Sequence, residues 1–212
     1  MVANRRPGSD AYFLALAALV ATRSTCYRRA VGCVLVDARG HVLATGYNGV
    51  APKHPHCNEA VLRRAEVGRD TQGRPILSDS YDHPHACAGA NAPSGVALDS
   101  CAAIHAEANA LVQCADPYAI ATVYVTAEPC VSCTKLLLVS GCRRVVALEP
   151  YPNSGKALWL ASAAARGGDR VWHVPGRLDR ESGGSALEDA QAAMAEAKGV
   201  HVQVIDLAEN KS

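Results

Sequence analysis

The sequence predicts an α/β protein in which a sheet is layered with helices. Short β-rich runs alternate with segments of helical length along most of the chain. The 212 residues are 49% hydrophobic and 19% charged, which is typical of one globular domain with its own core. The longest apolar run, residues 11–21, is too short to span a membrane and follows a polar start without a convincing cleavage site. We therefore expect a cytoplasmic protein.

The first predicted elements are a helix and a hairpin. Ser9 is a plausible N-cap, and residues 11–21 are apolar nearly all round, which predicts a well-buried helix. Two short β-rich runs, 31–36 and 41–45, are joined by a turn-forming segment at 37–40. They predict an antiparallel pair of strands.

Between residues 50 and 100 the periodicity weakens. Residues 59–67 alone look helical, and the rest is rich in Pro, Gly, His, Asp and Ser. A loop of this length inside a compact chain is usually functional or tied down by other groups.

The second half returns to alternating elements. Helices are predicted at 104–114, 129–140, around 156–165 and at 187–198, and strands at 121–126, 143–148, 170–174 and 200–205. Gly199 closes the last helix as a C′ residue. There is no internal repeat and no linker long enough to divide the chain, so we expect a single domain over residues 1–212.

Nine cysteines and eight histidines indicate metal binding rather than disulfides, because the cysteine count is odd and no export signal is present. With 21 Lys+Arg against 20 Asp+Glu, no broad attraction for nucleic acid or an anionic membrane is expected. Three cysteines lie in apolar surroundings and are expected in the core: Cys33, Cys114 and Cys142. The other six occur at turns, near histidines or as a CxxC pair: Cys26, Cys57, Cys87, Cys101, Cys130 and Cys133.

Two predicted helix starts carry a candidate catalytic zinc site. His105 lies at one, and Cys130 and Cys133 lie on one face of the other, after Pro129 in its first turn. A helix N-terminus lowers the pKa of a thiol, which makes thiolate ligands available at neutral pH. One imidazole and two thiolates suit zinc and leave its fourth position open, as in catalytic sites. A CxxC pair alone would equally suggest structural zinc or redox chemistry.

Glu107 is the candidate proton-transfer residue. Placed two residues after His105 on the same first turn, it can lie beside the metal without ligating it. A carboxylate there can take a proton from zinc-bound water, whose pKa zinc lowers from about 15.7 to about 7, and return it to the substrate. His-x-Glu together with Pro-Cys-x-x-Cys is the signature of zinc nucleobase deaminases. A non-catalytic zinc-stabilised scaffold would have no use for this carboxylate.

The resemblance extends beyond the zinc motif. Residues 10–13, 23–26, 31–32, 44–49, 56–59, 105–110 and 124–126 resemble the deoxycytidylate (dCMP) deaminase family in order. This resemblance covers roughly residues 10–59 and 100–152. It implies a three-layer α/β/α sandwich around a mixed five-stranded sheet, usually assembled into a hexamer. It also implies attack of zinc hydroxide on C4 of the pyrimidine and loss of ammonia, which gives dUMP for pyrimidine nucleotide biosynthesis.

The same resemblance implies a set of substrate-binding residues. Asn48, Ala106 and Tyr151 would contact the substrate, and Arg23, Ser24 and Arg28 would lie near its 5′-phosphate. Plainer interpretations exist, since Asn48 before Gly49 is also a common turn and Tyr151 could be a surface aromatic. Arg28 and Arg29 could likewise be a solvated pair.

Four cysteines remain for a possible second, structural zinc: Cys26, Cys57, Cys87 and Cys101. The first two fall where the phage-type dCMP deaminases that the chain resembles have ligands of an additional zinc. His83 or His85 could replace Cys87, and His56 could replace Cys57. The alternative is that all four are free cysteines in a loop.

Some features depart from the family pattern. Residues 50–54 keep only the proline of a segment associated with control by dCTP and dTTP, which makes such control doubtful. Segments 60–100 and 152–185 resemble insertions that could alter the substrate. Rival substrates are 5-substituted dCMP, dCTP, a free cytidine-type nucleoside and tRNA adenosine. A net charge of +1 argues against the tRNA substrate.

Overall fold

A computed structural model describes residues 7–93, 95–97 and 100–174, and the backbone of residues 202–203. Its helices are α1 (Ser9–Ala21), α2 (Ala106–Gln113), α3 (Val131–Val139) and α4 (Lys156–Ala165), with a 3-10 turn at Pro117–Ala119. Its strands are β1 (Gly32–Val36), β2 (Val42–Tyr47), β3 (Ala60–Arg69), β4 (Pro75–Asp82), β5 (Thr122–Ala127), β6 (Arg144–Glu149), β7 (Val171–His173) and β8 (Val202–Gln203). Among the described residues, no helix is long and apolar enough to cross a membrane.

The main sheet has five strands in the order β2-β1-β5-β6-β7. Strand β1 runs antiparallel to both β2 and β5, whereas β5, β6 and β7 are parallel to one another. The mixed five-stranded sheet is therefore confirmed.

Helices cover both faces of this sheet, because the side chains of β1 alternate between two apolar clusters. Val34 and Val36 pack with Phe13 and Leu14 of α1. On the opposite face, Cys33 and Leu35 of β1 belong to a second apolar cluster. This cluster also contains side chains of α2, α3 and α4, namely Ala106, Ala110, Leu137 and Trp159. The three-layer α/β/α arrangement is thus confirmed, and Cys33, Cys114 and Cys142 are buried as predicted.

The start of α1 differs slightly from the prediction. Gly8 occupies the N-cap position and Ser9 is already helical, so the prediction of Ser9 as N-cap was wrong by one residue. Asp10 of the first turn accepts two hydrogen bonds from Arg144, at 2.6 and 2.7 Å, and one from the Tyr124 hydroxyl at 2.9 Å. These bonds attach α1 to β5 and β6.

The helix predicted at 59–67 was wrong, since these residues mostly belong to β3, which pairs antiparallel with β4. Arg64 and Asp79 face each other in this hairpin and make two hydrogen bonds, at 2.8 and 3.0 Å. Cross-strand pairs of this kind override a weak helical pattern. Strand β8 pairs in parallel with β3 and gives a second sheet in the order β4-β3-β8.

The C-terminal predictions are covered only in part. Residues 156–165 form α4 and residues 171–173 form β7, the edge strand of the main sheet, close to the predicted bounds. The helix predicted at 187–198 lies outside the described residues. Of the strand predicted at 200–205, the structure describes residues 202 and 203 as β8.

Candidate active site

The three predicted metal ligands lie at the starts of α2 and α3. His105 is the N-cap residue of α2 and Cys130 that of α3, so each helix begins slightly later than predicted. Helix α2 lies directly on β2 at Gly46, where a Cβ would come within 2.3 Å of the Ala106 carbonyl oxygen. A glycine at this position therefore allows the helix that follows His105 to approach the sheet closely.

The ligand atoms of His105, Cys130 and Cys133 converge, and all lie within 4.8 Å of one another. His105 Nδ1 is 3.4 Å from the Sγ atom of each cysteine. A nitrogen and a sulfur bound to one tetrahedral zinc at their usual bond lengths stand about 3.5 Å apart. The described residues therefore fit a zinc ion, and a set of one imidazole and two thiols leaves a fourth position for another ligand.

Hydrogen bonds among the two thiols and the imidazole shift the pKa values of all three groups. A hydrogen bond from Cys133, followed by one from His105, lowers the pKa of Cys130 to about 4. The same bond to Cys130, together with burial, raises the pKa of Cys133, and the bond to Cys130 also raises the pKa of His105. Because metals bind the deprotonated thiol, the low pKa of Cys130 favours it as a ligand.

Glu107 lies on the first turn of α2, beside this group and outside it. Its side chain lines the site cavity, yet the residue is only 4% exposed. Burial raises the pKa of Glu107, while backbone hydrogen bonding and the neighbouring His105 act in the opposite direction. A raised pKa makes a carboxylate a stronger base, which suits Glu107 to accept a proton and pass it on.

A cavity of about 580 Å³ opens above these residues, which is within the usual range for a small-molecule site. Four of the predicted substrate-binding residues line it: Arg28, Asn48, Ala106 and Tyr151. The other two, Arg23 and Ser24, do not line the described part of the cavity. Arg23 is exposed, and Ser24 is buried behind Asn48.

Ser24 instead holds Asn48. Its hydroxyl donates to Asn48 Oδ1 at 2.7 Å, and the same oxygen accepts the Val31 backbone N–H at 2.7 Å. Asn48 Nδ2 donates to the Arg29 carbonyl at 2.6 Å. Most of the amide's hydrogen-bonding capacity thus fixes its orientation at the cavity wall.

Sequence reasoning missed two carboxylates of the cavity wall, Glu128 and Glu149. The buried Glu128 carboxylate accepts hydrogen bonds from Trp172 Nε1 at 2.8 Å and from the Tyr151 backbone N–H at 3.0 Å. Glu149 forms a 2.5 Å ion pair with Arg29. The position of Glu128 directly before the Pro-Cys-x-x-Cys motif was an available signal, whereas the partner of Glu149 lies 120 residues away.

The four remaining cysteines are neighbours. Cys26 and Cys87 each lie close enough to Cys57 and to Cys101 to influence the pKa of both thiols. Burial, followed by smaller contributions from these neighbours, raises the pKa of Cys101 to about 11. Among the described residues, the His105 group alone has three ligand atoms all within 4.8 Å of one another.

The three histidines considered as alternates have other surroundings. His56 forms a 2.9 Å ion pair with Glu59. His83 packs edge-on against Tyr27, with 4.5 Å between the ring centroids. His85 lines a second cavity together with Cys57.

Comparison with known proteins gives consistent matches. Residues 7–149 match the family described as the cytidine and deoxycytidylate deaminase zinc-binding region. The deoxycytidylate deaminase of Mycobacterium phage D29 is 40% identical over 149 residues, which cover 70% of this chain and 97% of the phage protein. That of Schizosaccharomyces pombe is 34% identical over 162 residues, or 75% of this chain, which spans only 42% of the yeast protein.

A solved structure of the dCMP deaminase from cyanophage S-TIM5, in complex with dCMP and dUMP, has 21% identity and a TM-score of 0.45. The match covers 76% of this chain and 94% of the phage chain. The family match spans well over half of the sequence and includes both zinc motifs. The chain therefore belongs to the cytidine and deoxycytidylate deaminase zinc-binding family.

Proposed function

We propose that this protein is a zinc-dependent hydrolase that converts dCMP and water to dUMP and ammonia. The observation that carries the proposal is the convergence of His105, Cys130 and Cys133 beside the buried Glu107, in a cavity of nucleotide size. The relative from phage D29 is named a deoxycytidylate deaminase, and the match covers nearly the whole length of that phage protein. It supports dCMP as the substrate.

In this proposal His105, Cys130 and Cys133 hold zinc, and Glu107 moves the protons. When bound, zinc supplies a Lewis acid that lowers the pKa of water from about 15.7 to about 7. The Glu107 carboxylate takes a proton from the attacking water and gives it to the pyrimidine ring nitrogen. Glu107 then moves the proton of the hydroxyl group added to C4 onto the amino group. The C4–N bond breaks, ammonia leaves, and C4 keeps the oxygen as the carbonyl of dUMP. The burial of Glu107 keeps bulk water from replacing it in these transfers.

We assign the 5′-phosphate to Arg28. Among the residues that the structure describes, two guanidinium groups line the cavity, and that of Arg29 is neutralised by Glu149. Arg28 donates one hydrogen bond, to the Pro93 carbonyl at 2.5 Å, and has no carboxylate within ion-pair distance among the described residues. Its charge is therefore available to a phosphate. Asn48 and Tyr151 contact the sugar and base in this arrangement, with Ala106 at the wall.

We also propose a second, structural zinc held by Cys26, Cys57, Cys87 and Cys101. The proximity of these thiols supports this set over free cysteines. Because no three of them lie within 4.8 Å of one another in the described structure, zinc binding would have to draw their sulfur atoms together. His56 is the weaker alternate, because its ring nitrogen already pairs with Glu59. His83 packs against Tyr27 through its ring face or edge only, and its buried Nδ1 has no hydrogen-bond partner among the described residues, so it stays an alternate to Cys87. His85, beside Cys57 at the second cavity, is the stronger alternate.

The protein as a whole is proposed to be a single-domain, cytoplasmic enzyme of pyrimidine metabolism that assembles into a homo-oligomer, a hexamer by family resemblance. Large apolar side chains exposed near one end of α2 and α3 support self-association, namely Val112, Tyr118 and Val139. Its partner is a small nucleotide, and no membrane or stable nucleic-acid partner is expected.

Ammonia release from a panel of CMP, dCMP, dCTP, 5-methyl-dCMP and deoxycytidine tests the substrate. We expect kcat/KM for dCMP to exceed that for deoxycytidine by about 100-fold or more, because the phosphate adds charge-assisted hydrogen bonds. Equal values for these two compounds would assign the protein to nucleosides instead. Absence of turnover with every compound, in protein with full zinc occupancy, would contradict the deaminase proposal.

A further inference from the structure

The cavity is covered on one side by a loop that the catalytic motifs do not explain. Residues 89–93 and 95–97, here called the roof loop, contribute Ala90, Asn91, Ala92 and Gly95 to the cavity wall. These residues line the same cavity as His105 and Cys130. Their position bears on whether a bound nucleotide is retained.

The base of the roof loop is closed by its own backbone. The Gly89 N–H donates to the Ser100 carbonyl at 3.1 Å, and the Ala90 N–H donates to the Cys87 carbonyl at 2.8 Å. Cys87 also contacts Cys101 just beyond the loop. The residues at the two ends of the loop, Gly89 and Ser100, are therefore held close together.

Two side chains from other segments also attach the loop. Arg28 donates to the Pro93 carbonyl, and Asn153 Nδ2 donates to the Gly95 carbonyl at 2.7 Å. Gly95 has φ +82°, and a Cβ on it would stand 2.5 Å from Asn153 Nδ2. Glycine at this position thus allows both the backbone conformation and the close approach of Asn153.

The segment that carries Asn153 is itself fixed to the metal-binding end of α3. The Gly155 N–H donates to the Pro129 carbonyl at 2.8 Å, and Ser154 forms a β-bridge with Cys130. Two residues before Asn153, the backbone of Tyr151 is held by Glu128. Asn153 therefore connects the roof loop to a rigid part of the site.

We propose that Asn153 is a positioning residue that holds the roof loop over the bound nucleotide and thereby sets the affinity for substrate. This inference rests on the proposed function. Because Asn153 does not line the described cavity wall, it acts through the roof loop. Loss of this hydrogen bond leaves the roof loop attached through Arg28 alone, which loosens it around Gly95, but leaves Glu107 and the zinc ligands in place. The loss therefore weakens binding of ground state and transition state alike, which raises KM and spares kcat.

The test compares Asn153→Ala, Gly95→Ala and the double variant with wild type in steady-state deamination of dCMP. One net hydrogen bond corresponds to about a fivefold change in an equilibrium. We expect each single variant to raise KM about fivefold or more with kcat within about twofold. The double variant should be little worse than either single variant, since both remove the same contact. Val96→Ala, at an exposed position of the roof loop, is the matched control and should keep wild-type constants.

Amide hydrogen exchange of the roof loop, measured without substrate, gives a readout independent of activity. We expect faster exchange in Asn153→Ala than in wild type and in Val96→Ala. Unchanged exchange and KM in Asn153→Ala would overturn the proposal, as would a fall in kcat at constant KM. If wild type does not act on dCMP, the proposed function fails, while exchange still tests the role of Asn153.

Discussion

Replacement of Glu107 by glutamine would separate proton transfer from metal binding. Glutamine has nearly the same shape but cannot exchange a proton at neutral pH. The structure places Glu107 beside the three converging ligand atoms and not among them. The variant should therefore fold and keep its catalytic zinc. Because burial already raises the pKa of this carboxyl group, removal of its charge should not lower thermal stability.

The expected loss of rate follows from this burial. A general acid–base residue contributes about 10²- to 10⁴-fold, which is about 2.7 to 5.4 kcal/mol of transition-state stabilisation. Glu107 is almost fully enclosed, so water cannot readily take its place. We therefore expect Glu107→Gln to fall in the upper part of that range, with kcat and kcat/KM reduced together.

The assay is ammonia release at saturating dCMP, with zinc content and melting temperature measured on the same preparation. Glu66→Gln is the matched control, because Glu66 is an exposed residue of β3 whose side chain pairs with Arg69. It should keep the wild-type rate. A near-wild-type rate for Glu107→Gln with full zinc occupancy would refute the proposed role of the carboxylate.

Two further predictions concern the second zinc and the attachment of α1. Metal analysis of protein purified without added zinc should give near two equivalents per chain, and Cys57→Ser should lose one of them and be less stable; one equivalent in wild type would exclude the second site. Hydrogen bonds from Arg144 lower the pKa of Asp10. Burial opposes this shift, and a hydrogen bond from Tyr124 and the charge of His173 add to it. Asp10→Asn should thus cost about 1 kcal/mol of unfolding free energy near neutral pH, a value reduced because both side chains are about one-third exposed. Because the pKa of Asp10 is depressed in the folded state, the difference in unfolding free energy between wild type and Asp10→Asn should shrink as pH falls below about 4 and vanish below the folded-state pKa. Urea titrations at several pH values measure this difference, and a difference that does not change with pH would contradict the prediction.

The metal site was predictable because its determinants are local in sequence. His105 and Glu107 are two residues apart, and Cys130 and Cys133 are three apart, so each pair is held at one helix start, with the first member as N-cap and the second in the helix. The β-rich runs of the main sheet were equally local signals. In contrast, the ion pair between Arg29 and Glu149 depends on how strands distant in sequence come together, and no short pattern encodes it.

The hairpin at β3 and β4 shows why the segment from 50 to 100 was harder. Residues 59–67 satisfy a weak helical pattern when taken alone. What decides their conformation is a partner strand beginning at Pro75, which supplies Asp79 opposite Arg64 and Asp82 beside Arg63. Pairing over such a separation competes with local propensity and is visible only when both strands are considered together.

The phosphate site illustrates a different limit. The resemblance placed Arg23, Ser24 and Arg28 together, yet one is exposed, one is buried behind Asn48, and one reaches the cavity. Neighbouring positions in a loop point in different directions that sequence spacing does not determine. Ser24 fixes Asn48 through its hydroxyl, so substitution of either residue would disturb the same wall of the cavity. A loss of activity on mutation of Ser24 would therefore not by itself identify a phosphate contact, whereas loss of discrimination between dCMP and deoxycytidine on mutation of Arg28 would.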